Sequence, residues 1–448
     1  MSTVRLLPGD CREVIKTLDS SSIDSGITDP PYSLTSIVKR FGKTSINGSG
    51  TNERRAAARA DGMARLSSGF MGKKWDTGEV VHDPAFWAEV YRVLKPGAHL
   101  VAFGGTRTYH RMVCAIEDAG FEIRDTLCWL YGTGFPKSHD VSKAIDKAAG
   151  AERAVVTHIK RRDIRNGHGR GRGDGINASE REAPEYLDYA ITAPTTAAAA
   201  AWVGWGTALK SAFEPIVLAR KPLIGTVAEN VLLHGTGAIN IDGCRIGTLK
   251  RVPGSLSTTE NSIYGKGLGG YRQDGSEGGH NPNLGRWPAN VAHDDSDEVL
   301  AAFPDSAGQL YDRPQLPKKS NGIYGDFGEQ APALARGDSG SAARFFFSAK
   351  ADSEDRWGSK HPTVKPVALI RWLMRLVTPP GGLTLDPFAG SGTAGVAALA
   401  EGFDAILIER EAEYITDIEA RLAYYQGAGG HSVAQKNRNK RQSTGTLL

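Results

Sequence analysis

The residues best suited to chemistry form a short polar segment, Asp29-Pro30-Pro31-Tyr32. The exocyclic amine of a nucleobase is a poor nucleophile because its lone pair is delocalised into the ring. A site can help by accepting hydrogen bonds from both amino protons, here with the Asp29 carboxylate and the Pro30 carbonyl. Pro31 restricts the turn so that the two acceptors converge, and Tyr32 can stack on a base. The alternative interpretation is an ordinary proline-rich turn in which the aspartate caps a helix.

A second candidate site is a glycine-rich loop near residue 390. Gly390, Gly392 and Gly395 form a G-x-G-x-x-G motif between a predicted strand and a predicted helix, and Glu409 ends the next strand. Such a loop brings the backbone and a helix N-terminus close to a ligand, while the carboxylate accepts hydrogen bonds from ribose hydroxyls. The motif alone fits a dinucleotide, S-adenosylmethionine (SAM) or a structural turn. No Gly-Lys-Ser/Thr follows, which excludes a P-loop.

The elements around both motifs predict an α/β fold with a parallel sheet. Strands are predicted over 3–7, 23–28, 98–103, 121–130, 383–386 and 405–408. Helices are predicted over 11–18, 83–94, 107–119, 366–377, 394–400 and 412–425. Alternating strands and helices are typical of parallel sheets. Both motifs then follow the carboxyl ends of strands, where open α/β sheets bind their ligands.

The middle of the chain, residues 132–350, contains few regular elements and is predicted to be an inserted recognition region. Within it, residues 214–220 are interpreted as one isolated strand. Glycine-rich loops are predicted over 41–78 and 265–285, and the 54 glycines among 448 residues exceed the usual share of about 7%. The predicted organisation is therefore two halves of one fold, 1–131 and 351–430, with an insertion between them and a basic flexible tail over 431–448.

Basic side chains are concentrated in two glycine-rich segments, although the net charge of the whole chain is only +4. Phosphate contacts supply affinity for nucleic acids, so these side chains are predicted to contact DNA. The alternative is ordinary solvated surface. The candidates are Arg54, Arg55, Lys160, Arg161, Arg162, Arg165, Arg170 and Arg172.

Composition excludes several classes of protein. Apolar residues at 40% and charged residues at 23% are ordinary values for a globular protein. No apolar segment is long enough to span a membrane, and the N-terminal sequence MSTVRLLPGD does not resemble a secretion signal, so we expect a cytoplasmic protein. The four cysteines, Cys11, Cys114, Cys128 and Cys244, lie far apart, which predicts neither a metal site nor a disulfide framework.

With both motifs in view, the chain resembles the amino-group DNA methyltransferases, which modify adenine N6 or cytosine N4, in their permuted β class. In that class D-P-P-Y comes first, a target-recognition region follows, and the SAM-binding F-x-G-x-G comes last, here at 388–392. Residues 361–366, His-Pro-Thr-Val-Lys-Pro, resemble the element before the SAM loop. The resemblance covers about residues 1–131 and 355–425, and the middle region is similar to that of bacteriophage-type members. It implies a permuted Rossmann-like SAM-dependent methyltransferase sheet with helices on both faces.

The resemblance also implies a role for each motif residue. Asp29 and Pro30 would bind the target amino group within the turn that Pro31 fixes, and Tyr32 would stack on the flipped base. The residues that would bind SAM are Asp10, Cys11, His361, Thr363, Lys365, Asp386, Phe388, Gly390, Gly392, Thr393 and Glu409. Asp10 is equally suited to capping a helix. Lys365 also fits a solvated charge, and Trp129 fits either a wall of the base pocket or the core.

The implied reaction transfers a methyl group from SAM to N6 of an adenine that is flipped out of double-stranded DNA. The implied setting is a bacterial or phage-infected cell, often within a restriction-modification system, and dimers are common in the family. N4-cytosine methylation is the first alternative, disfavoured because that group more often carries Ser where this chain has Asp29. Methylation at cytosine C5 needs a cysteine nucleophile, typically after proline, and no cysteine here follows one.

Three other functions are alternatives. RNA or protein amino methyltransferases usually have Asn at the position of Asp29. A nicotinamide-dependent oxidoreductase would account for the glycine loop but would leave the Asp-Pro-Pro-Tyr segment unexplained. A catalytically silent DNA-binding module would leave the acceptor pair unused.

Overall fold

A computed structural model describes residues 2–32, 80–132, 134, 138–162, 186–247, 286–306, 319–321, 325–327, 340–349, 353–357, 359, 361 and 363–427. The chain forms two compact units, one from residues 1–131 and 213–448 and the other from residues 132–212. Within these described ranges, no helix has the length and apolar character needed to cross a membrane.

The strands of the larger unit are β1 (Val4–Pro8), β2 (Ile23–Thr28), β3 (Leu94–Phe103), β4 (Glu122–Leu130), β7 (Phe213–Arg220), β8 (Val291–His293), β9 (Lys319–Asn321), β10 (Gly325–Phe327), β11 (Phe347–Ser348), β12 (Leu383–Asp386) and β13 (Asp404–Glu409). Its helices are α1 (Cys11–Val14), which continues as a 3-10 turn over Ile15–Thr17, α2 (Pro84–Val93), α3 (Tyr109–Asp118), α6 (Val227–His234), α7 (Asp297–Ala302), α8 (Ser353–Arg356), α9 (Val367–Val377), α10 (Thr393–Glu401) and α11 (Ala412–Gln426).

Nine strands form one sheet in the order β1-β13-β12-β2-β3-β7-β4-β8-β11. The first five are mutually parallel, whereas β7 is antiparallel to both β3 and β4. Strands β9 and β10 form a separate antiparallel pair. The connections run outward from the β12–β2 pair in both directions, so the topological switch point lies between these two strands.

Helices cover both faces of the sheet because side chains alternate along each strand. On β3, Val101 and Phe103 pack with α9, α10 and α11, whereas Leu100 and Ala102 pack with α2 and α3. Each fully buried aliphatic or aromatic side chain in these two layers contributes about 1.5–3 kcal/mol. The expectation of a Rossmann-like sheet with helices on both faces is confirmed.

The smaller unit contains α4 (Val141–Ala148), the antiparallel pair β5 (Val155–Arg162) and β6 (Tyr186–Thr192), and α5 (Ala197–Ala200). Its centre is the fully buried Asp146, whose carboxylate binds the Arg153 guanidinium at 2.6 Å and accepts hydrogen bonds from both Thr195 and Thr196. These bonds tie α4 to the segment after β6.

Two expectations about the middle region are wrong. Residues 213–220 are not an isolated strand, since β7 pairs along its length with β3 and β4 inside the main sheet. The basic residues Lys160, Arg161 and Arg162, predicted within a glycine-rich segment, instead end a strand over 155–162. The cause is tertiary pairing, which a run of polar or mixed residues does not reveal. The recognition role of 132–350 stays a prediction.

Candidate active site

The two sequence motifs lie side by side at the switch point of the sheet. The Asp29 segment follows the carboxyl end of β2, and the glycine loop follows the carboxyl end of its parallel neighbour β12. A buried hydrogen bond joins the two strand ends, because the Thr28 hydroxyl donates to Asp386 Oδ1 at 2.7 Å. The position is the one where open α/β sheets bind ligands.

Asp29 and three other side chains, Lys365, Glu214 and Tyr32, form a polar cluster. The Lys365 ammonium lies 2.8 Å from Asp29 Oδ2, 3.0 Å from Glu214 Oε2 and 2.9 Å from the Tyr32 hydroxyl. The Tyr32 hydroxyl donates to the same Glu214 oxygen at 2.9 Å. Three different parts of the fold supply these groups: the turn after β2, the start of β7, and the residue just before Pro366 and α9.

Burial and charge set the protonation of this cluster. Burial opposes the charged form of Lys365, but the adjacent Asp29 and Glu214 carboxylates outweigh it and hold the lysine pKa above its ordinary value. Burial also raises the pKa of Tyr32 well above its usual range, and the two carboxylates add to this effect. The cluster therefore contains a charged lysine and a neutral tyrosine at neutral pH.

One acceptor of the cluster remains free. Asp29 Oδ1 is buried and has no hydrogen-bond partner among the described residues, while Oδ2 is held by Lys365. A buried carboxylate oxygen without a donor costs free energy unless a ligand supplies one. The arrangement can therefore accept one proton of an amino group from outside the cluster.

The turn itself is held from the side of β3. The Thr108 hydroxyl donates to the Tyr32 carbonyl at 2.5 Å. At Gly105 a side chain would meet the Tyr32 ring, since a Cβ there would lie 3.1 Å from Tyr32 Cβ. Small residues after β3 thus let the Tyr32 ring pack closely while its hydroxyl is fixed by Glu214 and Lys365.

The glycine loop has a backbone that only glycine adopts without strain. Gly390 and Gly392 have φ values of 52° and 73°, and Gly392 caps the N-terminus of α10. A Cβ on Gly392 would lie 3.0 Å from Ile418, and one on Gly395 would lie 2.7 Å from Leu407. The three glycines therefore serve a tight turn and close packing of the helix on the sheet.

Two buried carboxylates flank this loop. Glu409 accepts hydrogen bonds from the backbone N–H groups of Gly390, Arg410 and Glu411 at 2.8–3.0 Å, and burial raises its pKa. Burial raises the pKa of Asp386 to about 7, although the Thr28 hydroxyl and the Phe388 N–H counteract it. Carboxylates with raised pKa values in a cleft are a mark of functional sites.

His361 lies against the glycine loop and Thr363 contacts His361, while SAM binding by both residues stays a prediction. His361 Nδ1 is 2.6 Å from the Thr363 carbonyl, and its ring lies where a Cβ on Gly390 would point. Burial lowers the pKa of His361, so the ring is neutral at pH 7. Lys365 is buried, which makes the interpretation as a solvated charge wrong.

Asp10 and Cys11 follow β1. Asp10 caps α1 through the Arg12 N–H and binds the Arg12 guanidinium at 2.7 Å, and these bonds lower its pKa to about 2. Burial and the nearby Asp10 charge raise the pKa of Cys11 to about 12. The helix-capping interpretation of Asp10 is confirmed, and ligand binding by the pair stays a prediction.

Phe388, Thr393 and Trp129 have packing roles in the structure. The Phe388 ring lies 5.3 Å from that of Phe86 on α2. The Thr393 hydroxyl accepts from the Arg421 guanidinium at 3.0 Å. Trp129 is buried in the core layer that contains α9. Their proposed contacts with SAM or a base stay predictions.

Sequence reasoning missed three residues that shape the site. Glu214 lies in the apolar run of β7, and Arg421 lies within the apolar stripe of α11. Arg421 is fully buried and donates to the Ser391 carbonyl at 2.7 Å and to the Asp355 carbonyl, so it holds the glycine loop from behind. Thr28 is the third. A charged residue in an otherwise apolar run was the available signal for Glu214 and Arg421.

The predicted DNA-contacting residues are only partly described. Arg54, Arg55, Arg165, Arg170 and Arg172 lie outside the described residues. Lys160, Arg161 and Arg162 lie at the end of β5, with side chains that are also outside the description. Their contact with phosphates stays a prediction.

The sheet and the glycine loop at its switch point define a Rossmann-like α/β domain, and part of that domain matches a known family. Residues 317–420 match the family model N6_N4_Mtase, described as DNA methylase. This segment, which contains Lys365, Asp386 and the glycine loop, is thus similar to the N6-adenine/N4-cytosine DNA methyltransferases.

Individual relatives are similar over part of their length. Type II methyltransferase M.HindIII of Haemophilus influenzae is 26% identical over 50% of this chain and 61% of its own. DNA adenine methyltransferase YhdJ of Escherichia coli is 39% identical over 19% of this chain and 29% of its own. The chain thus spans less than two thirds of either relative. The solved M1.HpyAVI-SAM complex matches with 15% identity and a TM-score of 0.35, over 94% of this chain and 100% of that one.

Proposed function

We propose that this protein transfers a methyl group from SAM to the exocyclic N6 of an adenine in double-stranded DNA. The observation that carries the proposal is the juxtaposition of an unpartnered buried acceptor, Asp29 Oδ1, with a glycine loop at the switch point of the sheet. The order of the motifs in the chain fits the permuted β class.

The residues around the glycine loop fit SAM. Gly390 and Gly392 hold the loop in a left-handed backbone that other residues rarely adopt, and the Asp386 and Glu409 carboxylates bind the backbone N–H groups of Phe388 and Gly390 beside it. A carboxylate suits both the amino group of the methionine part and the ribose hydroxyls. When bound, SAM supplies an electrophilic methyl group on a positively charged sulfur.

The chain's own residues then orient the acceptor base. Asp29 Oδ1 accepts one amino proton and the Pro30 carbonyl accepts the other, which favours the pyramidal, more nucleophilic nitrogen. The Tyr32 ring, fixed through its hydroxyl by Glu214 and Lys365, supports the flipped base by stacking. Placing the nitrogen in line with the methyl group supplies much of the rate enhancement. No covalent intermediate is needed.

Adenine is proposed over cytosine for two reasons. Asp29 replaces the serine that is more frequent in the N4-cytosine group, and the relative YhdJ is named a DNA adenine methyltransferase. N4-cytosine methylation is the alternative within the same chemistry. A nicotinamide-dependent oxidoreductase is disfavoured by the family match and by the unused Asp29 acceptor.

The proposal is tested by incubating the protein with double-stranded DNA and SAM that carries a deuterated methyl group. The DNA is then digested to nucleosides and analysed by mass spectrometry. We expect the label in N6-methyldeoxyadenosine. Label only in N4-methyldeoxycytidine would establish the alternative, and unlabelled DNA after prolonged incubation with many different sequences would refute the methyltransferase proposal.

A further inference from the structure

Glu214 is the residue of the Asp29 cluster that the sequence motifs do not contain. It lies at the start of β7, opposite Trp129 of β4, and its side chain is 18% exposed. Its Oε2 accepts from both the Lys365 ammonium and the Tyr32 hydroxyl. The antiparallel strand β7, which contains neither sequence motif, therefore places Glu214 in the cluster.

The protons of Lys365 are fully used within the cluster. An ammonium group has three N–H donors, and Asp29, Glu214 and Tyr32 lie within 3.0 Å of it. The ionised cluster holds two carboxylates and one ammonium, so it carries a net charge of −1. Without Glu214, the Lys365 charge would be balanced by Asp29 alone and the net charge would be zero.

The net negative charge of the cluster affects the methyl transfer of the proposed function, on which this inference rests, because a positive charge develops on the target nitrogen. The nitrogen lone pair forms the new bond to the methyl carbon, and the electrons of the carbon–sulfur bond return to sulfur. The positive charge thus passes from sulfur to the target nitrogen, which then loses one proton to solvent. A fixed negative charge beside the nitrogen stabilises that developing charge in a water-poor site.

We propose that Glu214 is a positioning residue that neutralises Lys365, so that Asp29 keeps its negative charge for the target amino nitrogen. Lys365 in turn binds the Asp29 carboxylate through Oδ2, so that Oδ1, which has no partner among the described residues, is left for the target amino group. Glu214 acts through Lys365 and Asp29 and needs no contact with the base.

Glu214 could instead support the cluster only by its shape and hydrogen bonds. Two substitutions of Glu214 distinguish this purely structural role from the proposed effect of its charge. Glu214→Gln keeps the length of the side chain and an acceptor for Tyr32 but removes the charge. Glu214→Asp keeps the charge but shortens the side chain. We expect Glu214→Gln to lower kcat by about tenfold, with the KM for SAM changed by less than about twofold. Glu214→Asp retains more activity than Glu214→Gln.

The double variant Glu214→Gln/Lys365→Gln supplies the decisive comparison. It removes both opposing charges and returns the net charge to −1, so its kcat should exceed that of Glu214→Gln alone. A structural role predicts further loss, because two supports are then missing. Thermal unfolding and SAM binding of each variant verify folding.

Glu122→Gln is the matched control, since Glu122 also pairs with a β7 residue, Arg220, at 2.7 Å but at the far end of the strand. It should leave kcat unchanged. If the wild-type protein is active, two results would overturn this inference and leave the proposed function intact. The first is a Glu214→Gln variant as active as wild type, and the second is a double variant slower than Glu214→Gln. Inactivity of the wild-type protein would instead refute the proposed function itself.

Discussion

At the scale of single residues, the most unusual group is the buried Asp386 carboxyl. Burial raises its pKa to about 7 from 3.8. The folded protein therefore binds more protons than the unfolded chain between about pH 4 and 7, and this group makes stability fall as pH rises through that window. Below pH 4 both states hold the proton, so the contribution is then fully present.

Asp386→Asn should remove that pH dependence. The difference in unfolding free energy between wild type and variant is expected to change by up to about 1.4 kcal/mol per pH unit across the window, with wild type gaining toward low pH. Chemical denaturation at several pH values measures it. Asp118→Asn, an exposed carboxyl on α3, serves as control and should track wild type. A constant difference for Asp386→Asn would contradict the assignment.

Sequence reasoning found the residues that belong to contiguous motifs and missed those contributed by distant segments. Lys365 was identified with the segment before the SAM loop, but its burial was not evident, because its partner Tyr32 is 333 residues away in the chain. Glu214 is 182 residues from Tyr32 and belongs to no motif. Such contacts depend on the order of strands in the sheet, which local sequence does not encode.

At the scale of elements, helix α10 offers a direct comparison between its two ends. Gly392 precedes the helix and Gly402 follows it, with φ values of 73° and 84°. A side chain on Gly392 would meet Ile418 of α11 at 3.0 Å, whereas nothing lies within 4 Å of Gly402. The two glycines share the backbone requirement and differ only in close packing.

Alanine at these two positions should therefore have unequal effects. Gly402→Ala should cost about 1–2 kcal/mol for the left-handed backbone. Gly392→Ala should add about 1–3 kcal/mol of overpacking. We also expect Gly392→Ala to weaken SAM binding, because the loop must shift, and Gly402→Ala to leave it unchanged. Denaturant unfolding and calorimetric titration measure both effects, and equal results at the two sites would disprove the packing argument.

The regular elements were predicted where periodicity was strong. The predicted ranges for β2 and β12 match the structure, and a proline follows the end of each strand within two residues, at Pro30 and Pro387. Strand β3 starts at Leu94 rather than at the predicted residue 98, because the Lys95-Pro96-Gly97 segment lies within the strand and shifts its register against β2. Strand β7 was misjudged because its partners, β3 and β4, lie far back in the chain.

At the scale of the whole molecule, the sheet brings together segments that are far apart in sequence. The carboxyl ends of β2 and β12 are neighbours although their residues Thr28 and Asp386 are 358 positions apart. The βα pattern predicted a parallel sheet, and the position of each motif after a predicted strand placed both at the carboxyl ends of that sheet. The insertion of an antiparallel β7 next to β3, and with it the Glu214 carboxylate, was beyond what the sequence alone indicates.

The central claim is that the two motifs form one site with separate tasks, cofactor binding at the glycine loop and amine binding at Asp29. Asp29→Asn removes the charge but keeps the shape of the acceptor. The most direct measurement compares SAM affinity and methyl transfer to DNA in this variant and in wild type. We predict a SAM Kd within about twofold of wild type and methyl transfer reduced by at least about 100-fold. Methyl transfer at the wild-type rate, or loss of SAM binding together with activity, would contradict the account.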